Sequence, residues 1–121
     1  MTAEAAWPKS KLSALRLGGR LVAEVPSTGP GRRAFVEILP LLTPADEQAE
    51  REGWKRSDRA RVYRVRHWDY DADYLDGEDY DLGAVLVRQV MADGEAALTA
   101  VLGAWGVPPE RFDHPWRTDA P

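Results

Sequence analysis

Seven carboxylates fall within thirteen residues of this chain: Asp69, Asp71, Asp73, Asp76, Glu78, Asp79 and Asp81. Trp68, Tyr70, Tyr74 and Tyr80 are interleaved with them, and no basic side chain interrupts the run. Just upstream, residues 51–66 carry seven basic side chains against two acidic ones. Clustered carboxylates can hold a divalent cation, receive the cations of a partner protein, or exchange protons with a substrate. Cations interleaved with aromatics can neutralise phosphates and stack on bases.

Each chemistry makes a demand that the sequence meets or fails. Asp69-x-Asp71-x-Asp73 matches the opening of a helix–loop–helix calcium loop. The loop's sixth position is then Tyr74 instead of Gly, and its twelfth is Tyr80 instead of Glu. No specific metal site is expected. The histidines are His67 and His114 alone, and neither has a partner at ligand spacing. No Ser lies in a nucleophile elbow, and no glycine run carries the Lys of a phosphate loop. The chain has no cysteine, which excludes thiol catalysis, thiolate zinc sites and iron–sulfur clusters. The sequence therefore reads as non-enzymatic, with no cofactor.

The acidic run fits protein recognition better. Aromatic side chains supply buried anchors, and carboxylates steer a cationic surface into place. The expected partner-binding residues are Trp68, Asp69, Tyr70, Asp71, Asp73 and Tyr74, then Asp76, Glu78, Asp79, Tyr80 and Asp81. They suit an inhibitor, adaptor or immunity-type protein that engages a basic partner. The alternative is a nucleic-acid-associated module using Arg59, Arg61, Arg64 and Arg66, and behind it a small enzyme or divalent-cation binder. The adjacent acids and the net charge of −4 speak against it.

The elements that must position these residues follow from periodicity and punctuation. The 121 residues suit one domain over 1–121. Residues 1–11 read as a loose arm and 107–121 as a tail anchored by Phe112 and Trp116. Leu21, Ala23 and Val25 alternate with polar neighbours, as do Val36 and Ile38 around Glu37, so residues 20–39 read as a hairpin. Leu12–Leu17 could add a fifth strand, turned at Gly18-Gly19. Thr43-Pro44-Ala45-Asp46 starts a short, shallowly docked helix that ends before Gly53. Leu98, Val101, Leu102 and Trp105 form one apolar stripe on a helix opened by Asp93-Gly94-Glu95 and closed by Gly106.

Residues 60–72 and 80–91 read as two strands of a long hairpin turned at Asp76-Gly77, with Trp68 opposite Val85 and a bulge near Arg64. That turn would place Asp69, Asp71 and Asp73 in one exposed row. Trp68, Tyr70 and Tyr74 would lie on the other side. Neutralising the three aspartates is then expected to leave the fold intact. The whole gives an α+β fold: an antiparallel sheet of four to five strands in ββαββα order, with one main packed helix and one side helix. No apolar run is long enough to span a membrane and no secretory signal is evident. A cytoplasmic monomer or homodimer is expected.

Overall fold

Alternating apolar side chains set the first hairpin. Leu21, Ala23, Val36 and Ile38 are buried together on one face of strands β1 (Leu21–Val25) and β2 (Arg32–Pro40). The computed structural model describes residues 6–121. Helix α1 (Lys9–Arg16) precedes the hairpin. Helix α2 (Pro44–Arg51), strands β3 (Val62–Asp71) and β4 (Val85–Asp93) and helix α3 (Glu95–Trp105) follow it. The four strands form one antiparallel sheet in the order β1-β2-β3-β4, an α+β layout as expected.

The main core lies on the face that α1 and α3 cover. Leu12 and Leu15 of α1 and Leu98 and Leu102 of α3 meet Val36, Ile38, Tyr63, Val65 and Ala92 of the sheet. Leu98 and Leu102 belong to the predicted stripe, and Gly106 ends α3 in the left-handed conformation.

Several expectations are corrected. Leu12–Leu17 is not a strand. Leu12 and Leu15 are three apart, share one helix face, and are both buried. Gly18, at φ +88°, closes that helix instead of turning a hairpin. The loose arm falls partly outside the described residues, over 1–5. Within them, Trp7 is buried with its ring 6.0 Å from that of Phe112, and α1 begins at Lys9. In the tail, Phe112 is buried and Asp113 exchanges backbone hydrogen bonds with Val22 of β1, at 3.0 and 2.8 Å. Trp116 is 77% exposed, so Phe112 is the buried aromatic of the tail.

A further correction concerns the long hairpin. Asp76-Gly77 does not join two strands, because β3 ends at Asp71 and β4 begins only at Val85. Residues 72–84 fold as successive tight turns, closed by bonds such as Tyr74 N–H to Asp71 O and Ala84 N–H to Asp81 O, both 3.1 Å. The cause is tertiary. Leu75 leaves the strand path to pack with Phe35 and Tyr70 in a second small core. Trp68 consequently faces Leu86, and the bulge lies between His67 and Trp68 instead of near Arg64, with Val87 the extra residue.

Helix α2 docks through charge. It buries only Ala49. Its capping residue Asp46 accepts the Thr43 N–H at 2.8 Å and meets the Arg61 guanidinium at 2.7 and 2.9 Å. The Arg61 side chain is 0% exposed and also donates to the Arg16 and Arg56 carbonyls, at 2.7 and 2.9 Å. Arg61 holds the Asp46 carboxyl far below its usual range, against the opposing effect of burial. The unfolded carboxyl takes up a proton near pH 4, roughly, whereas the folded one stays ionised. This contribution is therefore present at neutral pH and lost as pH falls. Arg61→Met is expected to cost about 3 kcal/mol in urea unfolding, because Asp46 loses its bidentate partner and keeps only the more distant Arg56, 3.3 Å away. Asp46→Asn is expected to flatten the decline in stability below about pH 5.

Candidate partner-binding surface

β3 carries the aromatic and acidic side chains to one end of the sheet, but it does not present them as a row. Asp69 is buried, with its side chain 1% exposed. Its carboxylate pairs with the Arg32 guanidinium and accepts the Thr28 N–H at 2.9 Å. Burial pushes its pKa up, but Thr28 and Arg32 outweigh burial and hold it below the ordinary value. Arg32 also donates to Gly83 O at 2.8 Å, so the pair ties the β1–β2 turn to the end of the 72–84 loop. Asp69 is thus a structural residue, not part of an exposed surface. Asp71 is half-buried and accepts the Asp73 N–H at 3.0 Å, which turns the chain out of the strand. Asp73 accordingly does not continue its face.

Beyond that point the predicted residues do reach solvent. Asp73, Tyr74, Asp76, Glu78, Asp79, Tyr80 and Asp81 are all exposed. Leu75, buried between them, fixes the loop to the sheet. Trp68 and Tyr70 stack with centroids 6.1 Å apart. Tyr70 is buried and its hydroxyl is pushed up to about 12 by that burial and by Glu37. Trp68 Nε1 donates to Glu37 at 3.2 Å. Glu37 also receives Arg20 Nε at 2.9 Å and Arg66 Nε at 2.7 Å. These groups and Tyr80 line a cleft of ≈ 290 Å³ on the sheet face opposite the helices. Glu37 and Arg20 carry no local sequence signal, because their partners lie on other strands.

The alternative set does not form one basic strip. Arg61 is buried in the ion pair with Asp46. Arg66 is committed to Glu37, and Arg64 lies beside it on the open face with its Nε buried. Arg59 sits away from them, in a depression with Trp7 and Arg16 of the α1 region. His67 Nδ1 accepts a hydrogen bond from Arg88 at 3.1 Å. Burial and then the Arg88 charge lower its pKa, so it is neutral at pH 7. His114 stacks on Trp116 at 4.6 Å. Among the described residues no group of three His, Cys, Asp or Glu is placed to hold a metal ion. No described helix is long and apolar enough to cross a membrane.

The chain matches no family model, no curated protein and no solved structure. Its reading therefore rests on its own surface.

Two apolar features of that surface are absent from the predicted site. Val85, Leu86, Val87 and Met91 of β4 are exposed. The sheet order makes β4 an edge strand, which the sequence pattern alone does not indicate. Leu17, Leu42, Trp54 and Trp116 are exposed elsewhere, around Lys55. Asp69→Asn should lower the unfolding free energy by about 1–3 kcal/mol, because a buried charge-assisted network is broken. Asp73→Asn should change it by less than about 0.5 kcal/mol, as at any exposed position. Urea midpoints of the two single variants check this contrast.

Proposed function

We propose that this protein is a non-enzymatic binding module that engages a basic partner through the 73–81 loop. It would act as an inhibitor, adaptor or immunity-type protein. The carrying observation is that five exposed acids and two exposed tyrosines ride on a loop fastened at both ends. Asp73, Asp76, Glu78, Asp79 and Asp81 accept no side-chain hydrogen bond from another described residue. Their charge is therefore not spent internally. Leu75 beneath the loop and Arg32 at its end reduce the conformational entropy that binding must remove. Tyr74 and Tyr80 offer amphipathic area among the charges, the residue type enriched at interface hot spots. Asp69, and with it the triple-aspartate row, drops out of this surface.

The partner is sought by capture on the immobilised full chain at low and moderate salt, and its association rate is then measured. The comparison variant is Asp73→Asn, Asp76→Asn, Glu78→Gln, Asp79→Asn and Asp81→Asn together. The variant is expected to unfold at the wild-type urea concentration. It should associate about tenfold or more slowly at low salt and approach the wild-type rate at high salt, since steering is screened by ions. Equal rates at low salt would remove the loop from recognition. Capture of oligonucleotide by both proteins, with binding falling steeply as salt rises, would favour the Arg64–Arg66 face instead.

A further inference from the structure

Strand β4 and helix α3 are joined at one end by Gly94 and pack against each other from there. Going back from Asp93 to Arg88 covers about 16 Å of strand, and going forward from Glu95 to Trp105 covers about 15 Å of helix. The two elements therefore come level again at Arg88 and Trp105, the open end of the unit. There the Arg88 guanidinium lies over the Trp105 ring, 4.2 Å from its centroid. Arg88 Nε also donates to His67 Nδ1 at 3.1 Å. His67 and Arg88 are register partners and form the last regular pair before the bulge at Val87. The His67 ring lies 6.4 Å from that of Trp105. One guanidinium thus fastens β3, β4 and α3 where the ladder is interrupted, close to the point at which the chain enters β4 from the 72–84 loop.

We propose that His67 and Arg88 form an acid-released clasp: protonation of His67 frees Arg88, and with it the start of β4 and the end of α3. The hydrogen bond has only one possible polarity. A guanidinium donates and cannot accept, so Nδ1 must offer its lone pair and the imidazole proton sits on Nε2. A proton added at Nδ1 destroys the acceptor and sets two cations against each other across 3.1 Å. The same guanidinium, in the same position, makes the cation–π contact, so a displaced Arg88 loses both partners.

The surroundings leave His67 as the group that responds. β4 presents Arg88 to it, and α3 presents the uncharged Trp105. β2 presents Val36, its register partner on that side. Arg66 and Trp68, its neighbours in β3, turn to the open face. Asp69, two residues along, favours the imidazolium but is paired with Arg32. Burial, followed by the Arg88 charge, outweighs Asp69 and holds the His67 pKa below its ordinary 6.5. The unfolded chain takes up this proton near pH 6.5, roughly, and the folded chain only at lower pH. The clasp therefore contributes in full above that value and is lost as pH falls. Its window lies above that of Asp46, whose carboxyl is protonated in the unfolded chain near pH 4, roughly. The device does not depend on the acidic loop binding a partner.

The test is an NMR pH titration of the full chain. The His67 ring protons are expected to titrate with a midpoint below 6.5, and the Trp105 indole N–H resonance to move with the same midpoint. Amide exchange at Leu86, Val87 and Arg88, corrected for its intrinsic pH dependence, should accelerate about tenfold or more between pH 7 and pH 5. Arg88→Met should raise the His67 midpoint, because a like charge is removed, and Trp105 should cease to follow it. His67→Gln keeps an acceptor that does not titrate in this range, so both responses should vanish. A His67 midpoint at or above 6.5, a Trp105 resonance that stays still while His67 titrates, or an unchanged midpoint in Arg88→Met would overturn the clasp. So would the same pH response in His67→Gln, which would assign it to another group. One readout needs no variant: the Arg88 Nε–H resonance should be protected from exchange at pH 7 and lose that protection below the His67 midpoint. Its persistence at pH 5 would also overturn the proposal.

Discussion

A fully buried guanidinium holds the corner of this molecule together. Arg61 stands just before β3, and its donors reach a carboxylate on α2, the last residue of α1 and the segment after α2. Burying a charge is unfavourable unless its hydrogen-bonding capacity is met. Here a bidentate carboxylate and main-chain oxygens meet it. The same carboxylate caps α2, so removing either partner would release the helix and the chain that follows it. Apolar burial cannot replace this device, because α2 contributes little beyond Ala49. Where β3 enters the sheet is consequently set by electrostatics as much as by packing.

From that entry point the sheet becomes two-sided. Odd-numbered residues of β3, such as Tyr63 and Val65, go to the helix-covered core. Even-numbered ones, Arg64, Arg66, Trp68 and Tyr70, go to the open face. That face would be a poor place for Glu37, which is nearly buried, were it not bracketed by Arg20 and Arg66 and bonded by Trp68. Next to this polar centre, Phe35, Tyr70 and Leu75 make a small apolar one. The acidic loop is held by both, which is why a segment rich in like charges keeps a defined path.

Local pattern was legible wherever one face met one core. The alternation at Leu21–Val25 and around Glu37, the Thr43-Pro44 start and the Leu98–Leu102 stripe all correspond to elements observed. Reading failed where a distant residue decided. Gly18-Gly19 suits a hairpin turn or a helix end, and only the buried Leu12 and Leu15 select the second. Asp76-Gly77 suits a hairpin, but Leu75 finds Phe35 and the strand ends early. Asp69 looks like its neighbours in sequence and differs only because Arg32 and Thr28 lie beside it. Arg61 likewise sits in a run that resembles a solvated basic face. For Leu75, Asp69 and Arg61 the missing term was a partner more than ten residues away.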